Sequence, residues 1–178
     1  LDAAVIAAAD DVANVGGADW AAGTWSFQSY GSATLFSDRG DIYLGHAGVG
    51  YHIWDDISIN FEVIGGEVTQ RENPRDDSSY AVGFELLGRW HFLKGDGWSI
   101  YADGGCGMVW FENEWPHGGT HQNFTPQAGI GATLRVWDRV RLMGGVRWHH
   151  VSNARKSGKD DNPGFDGGMF YFGVMVPF

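Results

Sequence analysis

At 178 residues, the chain suits one domain and leaves little room for two. Its formal net charge of -10, from 22 acidic and 12 basic residues, argues against a nucleic-acid partner, which calls for a basic face. The 28 Gly, 9 Trp, 6 Tyr and 11 Phe exclude a disordered chain and point to β structure whose strands bend and pack closely. The single cysteine, Cys106, permits no disulfide within the chain and excludes a Cys-rich metal site.

Residues 1–22 fit no strand. Ala3 to Val15 has the composition of a short helix or a tail, and the Ala-rich start, Leu1 to Ala9, is compatible with the remnant of an export signal. No apolar run reaches the length of a membrane helix. From residue 23 to 178 the sequence reads as one all-β domain. Strands are expected near 24–36, 41–54, 57–70, 80–93, 98–111, 122–137, 140–154 and 168–178. Each is long enough to cross a bilayer at a tilt, which takes about 9–11 residues.

The connections alternate. Asp55-Asp56, Lys94-Gly95-Asp96-Gly97 and Asp138-Arg139 are tight turns, whereas 71–79, 112–121 and 155–167 are longer polar loops. Ser37 to Gly40 is a short member of the second set. Short turns at one end and long loops at the other mark an antiparallel transmembrane β-barrel of the outer membrane. Eight strands put both termini on the short-turn, periplasmic side.

Two-residue alternation agrees. Ile57, Ile59, Phe61 and Val63 oppose Ser58, Asn60 and Glu62 on the third strand. Val82, Phe84, Leu86, Trp90 and Phe92 oppose Gly83, Glu85, Arg89 and His91 on the fourth. Val140, Leu142, Val146, Trp148 and His150 oppose Arg141, Met143, Gly145 and Arg147 on the seventh. The large apolar side chains belong on the lipid side. Glu62, Glu85 and Asp103 can pair with Arg89, Arg135, Arg141 and Arg147 in a lumen only wide enough for side chains. A soluble lipocalin-like barrel would carry these faces reversed. Trp25, Trp54, Trp98 and Trp137 near one rim, and Trp110 and Trp115 near the other, suit interfacial girdles. The histidines His46, His52 and His91 are scattered over strands, and His117 and His121 share a loop without a shared face, so no metal or cofactor site is expected.

The seventh strand carries the candidate chemistry. His150 and Ser152 are two apart, hence on one face and about 6.6 Å apart along the strand. An imidazole at that spacing can activate a serine as nucleophile. A carboxylate would orient the ring, and Asp160, Asp161 and Asp166 all follow. By parity the pair points outward. Counting from Val140 sets it near the outer interface, within reach of an ester in the outer leaflet.

The run His150-Val151-Ser152-Asn153-Ala154, then Asn162-Pro163-Gly164-Phe165-Asp166, then an aromatic last strand ending in Phe178, resembles the PagL family of lipid A 3-O-deacylases. The resemblance implies a cofactor-free serine esterase embedded in the outer membrane of a Gram-negative bacterium. Its substrate is lipid A of lipopolysaccharide in the outer leaflet, and a homodimer is compatible with it. It implies His150 as general base, Ser152 as nucleophile, Asp166 as acid and Asn153 at the oxyanion. The family's acid is Glu; Asp is one methylene shorter, so Asp160 and Asp161 remain open for that role. The competing readings keep the barrel but make it a non-catalytic anchor or partner-binding protein, or a lipase acting on another outer-leaflet lipid.

Overall fold

A computed structural model of the chain describes residues 18–71, 78–156, 158 and 162–178. The expected helix or tail at Ala3 to Val15, and the two acids Asp160 and Asp161, lie outside the described residues. Nine antiparallel strand segments follow a 3-10 turn at Ala18–Trp20. They are β1 (Trp25–Leu35), β2 (Ile42–Trp54), β3 (Ile57–Thr69), β4 (Ser78–Gly95), β5 (Trp98–Trp115), β6 (Thr120–Phe124), β7 (Gln127–Trp137), β8 (Val140–Val151) and β9 (Phe165–Pro177). Sequence neighbours pair throughout except β6 and β7, which both pair with β5, and β9 closes on β1 from Ser26↔Pro177 to Leu35↔Gly168.

The expected sixth strand is present as two halves, β6 and β7. The same register runs through both: β5 meets Phe124 at Met108 and Gln127 at Gly105. The break falls at Thr125-Pro126, because a proline has no N–H to donate to a ladder. The ring therefore makes eight crossings. The expected loop at 112–121 is mostly strand as well. β5 runs on to Trp115, and the chain reverses within 116–119. Trp115 was expected in the outer girdle, but it is fully buried. It lies five residues from the outward Trp110, an odd number, so alternation turns it into the lumen.

The outward face is apolar. Phe61, Val63, Val82, Leu86, Ile130 and Phe172 are all exposed, a continuous band of a kind that water would not tolerate. Trp25, Trp54, Trp98 and Trp137 are exposed at the short-turn rim, where girdle residues belong. The inward face is filled in two layers. Toward the short turns it is polar. Asp103 accepts from Arg89 (3.0 Å) and Arg147 (2.7 Å), all three side chains being fully buried. Arg89 and Arg147 also lie 4.5 Å and 4.3 Å from the ring centres of Tyr101 and Tyr171, within cation–π range. Toward the loops it is apolar: Ile42, Ile64, Val109, Trp115, Val151 and Phe165 form one buried cluster.

Two expected lumen pairs are corrected. Arg135 bonds to Asp96 at the β4–β5 turn, 2.8 Å away. Arg141 bonds to Asp19, which the 3-10 turn carries into the barrel mouth. Trp20 from the same turn is buried, stacks on His91 at 3.8 Å and lies under the Arg141 guanidinium at 4.7 Å. Residues 18–20 thus plug the short-turn end, which a lumen narrow enough to be filled by single side chains allows.

Candidate active site

The loop end of β8 and the start of β9 build the site. β9 begins three residues earlier than expected, at Phe165, so Asp166 is a strand residue rather than a loop residue. The ladder sets His150 directly opposite Asp166 and Val151 directly opposite Phe165. Val151 and Phe165 point in, into the apolar cluster that Trp115 closes, with the Trp115 and Phe165 rings 4.8 Å apart. This packed floor holds the two strand ends. His150 and Asp166 consequently point out.

The pair is bonded: His150 Nδ1 lies 3.0 Å from Asp166 Oδ1. The same oxygen accepts from the Trp148 indole N–H at 2.9 Å. Trp148 is two residues before His150 on the same face, and its ring stacks on the imidazole at 5.7 Å and 23°. Asp166 is thus held from two sides. The His150 side chain is 25% exposed and that of Asp166 62%, so both remain open to the surroundings.

β8 ends at Val151, three residues short of expectation. Ser152 still pairs with Phe124, through Phe124 N–H to Ser152 O at 2.7 Å and Ser152 N–H to Phe124 O at 3.1 Å. Alternation therefore continues for one more residue. His150 and Ser152 line one cleft together with Asp166, Asn162, Gly164 and Arg39. The chain then turns. Ala154 and Arg155 adopt positive φ, and Arg155 N–H donates to Asn153 Oδ1 at 2.9 Å, a local side-chain-to-backbone turn. Asn153 is buried, and its own N–H donates to Asn162 Oδ1 at 2.9 Å. Gly164 has φ of 61°, and a Cβ there would lie 3.8 Å from His150 Cε1. That residue brings the returning loop close over the imidazole.

The structure thus gathers His150, Ser152 and Asp166 around one cleft and places Asn153 just behind it. Two residues with no role in the sequence reading join them. Trp148 was visible by parity alone, as an aromatic on the His150 face. Asn162 opens the run Asn162-Pro163-Gly164-Phe165-Asp166. With its Oδ1 taken by Asn153, its amide group is oriented from one end. Phe36 to Arg39, from the β1–β2 loop, also border the cleft. They arrive through the β1–β9 seam, a contact that joins the two ends of the chain.

A family model described as lipid A 3-O-deacylase (PagL) matches residues 45–175. The chain belongs to this family. It is an outer-membrane protein of a Gram-negative bacterium, and the chemistry of its family is deacylation of lipid A. Solved structures share the fold. The outer membrane enzyme PagL superposes with a TM-score of 0.60 at 18% identity, over 86% of this chain and 99% of that one. Neisserial surface protein A gives 0.62 at 16%, over 88% and 98%. The N-terminal β-barrel domain of Pseudomonas aeruginosa OprF gives 0.60 at 15%, over 88% and 98%. No curated protein matches the chain.

Proposed function

We propose that this PagL-family barrel is a serine esterase that removes the acyl chain from the 3-position of lipid A. The observation that carries the reading is the outward-facing His150–Asp166 pair, which shares a cleft with Ser152 at the loop end of β8. Family membership supplies the substrate class.

The chemistry follows from the donor set. Asp166 occupies His150 Nδ1, so the imidazole keeps Nε2 for the proton of the Ser152 hydroxyl. Ser152 Oγ then attacks the ester carbonyl, and charge develops on the carbonyl oxygen. Donors are needed within hydrogen-bond reach of that oxygen. The backbone N–H groups of His150, Ser152 and Asn153 are already engaged, by Pro126 O, Phe124 O and Asn162 Oδ1. The side-chain amide of Asn162 is the better donor, and Asn153 serves by fixing it. In this reading Asn153, the expected oxyanion residue, shares that role with Asn162. The tetrahedral intermediate collapses, and His150 returns the proton to the departing sugar hydroxyl. Water, deprotonated by the same Nε2, releases the fatty acid from Ser152.

The acyl chain has a place to lie. An apolar groove of about 570 Å³ runs from Asp166 down the lipid side, between Phe36, Ile130, Val146 and Trp148. It opens toward the bilayer from which the chain must come. One experiment decides the reading: mass spectrometry of lipid A after exposure to the protein and to Ser152→Ala. Loss of the 3-linked chain with the wild type only is expected. Release from another position, or from glycerophospholipid alone, would make the barrel a lipase on a different ester. Equal release by both proteins would remove Ser152 from the mechanism.

A further inference from the structure

A second cluster of reactive groups lies inside the barrel, away from the cleft. Glu62 on β3 and Glu85 on β4 are direct cross-strand partners, and both side chains are fully buried. Two carboxylates directly opposite each other repel, the more so in a dry lumen. The guanidiniums of Arg89 and Arg147 bond to Asp103 rather than to either glutamate. Facing the two acids is the buried His46, whose Nδ1 is 3.4 Å from Glu62 Oε2 and 3.6 Å from Glu85 Oε2. Among the described residues, His46 Nδ1 and Glu85 Oε2 have no hydrogen-bond partner. Buried polar atoms are seldom left so.

The distances carry information. N–H···O hydrogen bonds run at about 2.7–3.2 Å. Donor atoms placed tetrahedrally about 2.0–2.1 Å from a zinc ion stand about 3.4 Å from each other. The three ligand atoms lie within 4.8 Å of one another. Outer contacts hold His46 and Glu62, as metal ligands require, and a longer one reaches Glu85. His46 Nε2 is 2.9 Å from Ser32 Oγ. Glu62 accepts from Gln28 Nε2 at 2.7 Å and from the Tyr30 hydroxyl, and Thr125 Oγ1 is 3.5 Å from Glu85 Oε1. The strand row also makes room. Gly48 lies opposite Glu62 and Gly107 opposite Glu85, and a Cβ at either would stand 2.7 Å or 2.6 Å from the glutamate Cγ.

We infer that His46 Nδ1, Glu62 Oε2 and Glu85 Oε2 form a divalent-cation site of the zinc class inside the barrel. Three protein ligands of one nitrogen and two oxygens leave a position for water. The imidazole selects against calcium and magnesium, which prefer all-oxygen sets. The ion neutralises the carboxylate pair and ties β2, β3 and β4 together at the boundary between the polar and apolar layers. Both ends of the lumen are closed by buried side chains, so the ion enters as the barrel folds.

The test uses the untagged full chain, refolded into detergent with chelator, Zn2+ or Ca2+, then desalted and analysed for metal. About one Zn2+ per chain, little Ca2+ and a higher Tm with zinc are expected. In Glu85→Gln and His46→Gln, zinc retention should fall at least about tenfold. No retained zinc, equal retention of Ca2+, or retention that survives both substitutions overturns the site. The last outcome assigns the ion to other histidines. Should a variant not reach the heat-modifiable folded form, the wild type refolded with Co2+ decides. Visible d–d bands of a low-coordinate centre support the site, and an aqua-like spectrum overturns it.

Discussion

The two faces of β8 treat polar groups in opposite ways. Inside, Arg147 donates to Asp103, Tyr30 and Gln127, and His149 bonds to Thr34. Outside, one residue further on in each case, Trp148 and His150 share a single carboxylate oxygen of Asp166 and face a cleft. Inner groups are enclosed by one another and by the barrel wall, away from any reactant. Outer groups are fastened at one end and open at the other, an arrangement that folding alone does not call for. Adjacent residues such as His149 and His150 therefore differ in role because strand alternation sends them to different environments.

Substitutions can break this contrast in stages. The largest effect is expected at Ser152. Ser152→Ala should lower deacylation by at least about 10³-fold, as loss of a nucleophile does, with unchanged urea unfolding in lipid vesicles. Next comes the inner face. Asp103→Ala leaves two guanidiniums buried without their partner and should destabilise the barrel by about 3–5 kcal/mol. Its deacylation rate per folded molecule should stay near wild type. A rate collapse without loss of stability would mean that the lumen takes part in catalysis. Asn162→Ala should cost about 10²–10³-fold in kcat with KM little changed, the signature of an oxyanion donor. Trp148→Phe keeps the ring over His150 but deletes the bond to Asp166. A fall of about fivefold in kcat is expected, from roughly 1 kcal/mol of positioning. If Trp148→Phe equals wild type in kcat, Asp166 is held well enough by His150 alone.

Much of this architecture is legible in the sequence because a β-barrel writes its two faces as a period of two. The eight crossings, the short turns and the outward direction of His150 all follow from it. The same period turns Trp115 inward, five residues from the outward Trp110. The misses have physical causes. Pro126 interrupts the sixth crossing without disturbing its register, and alternation does not see a single missing N–H. The start of the last strand is hidden because Asp166-Gly167-Gly168 carries turn composition. The ladder with β8 and the packing of Phe165 make those residues strand. The partners of Arg135 and Arg141 are contacts at the barrel mouth and at a turn, set by the tilt of the barrel. Spacing along one strand cannot show them. The cleft wall from Phe36 to Arg39 depends on which strand closes the ring. His46, Glu62 and Glu85 come together only through the register of three strands, although each inward assignment was available singly.

We assign catalysis to the outward pair at the loop end of β8. The most direct measurement is the deacylation rate of purified lipopolysaccharide by His150→Ala and by His149→Ala, each at equal amounts of heat-modifiable folded barrel. His150→Ala should be slower than wild type by about 10³-fold or more, and His149→Ala should keep its rate. An undiminished rate in His150→Ala, or a loss that falls on His149→Ala instead, would place the general base elsewhere.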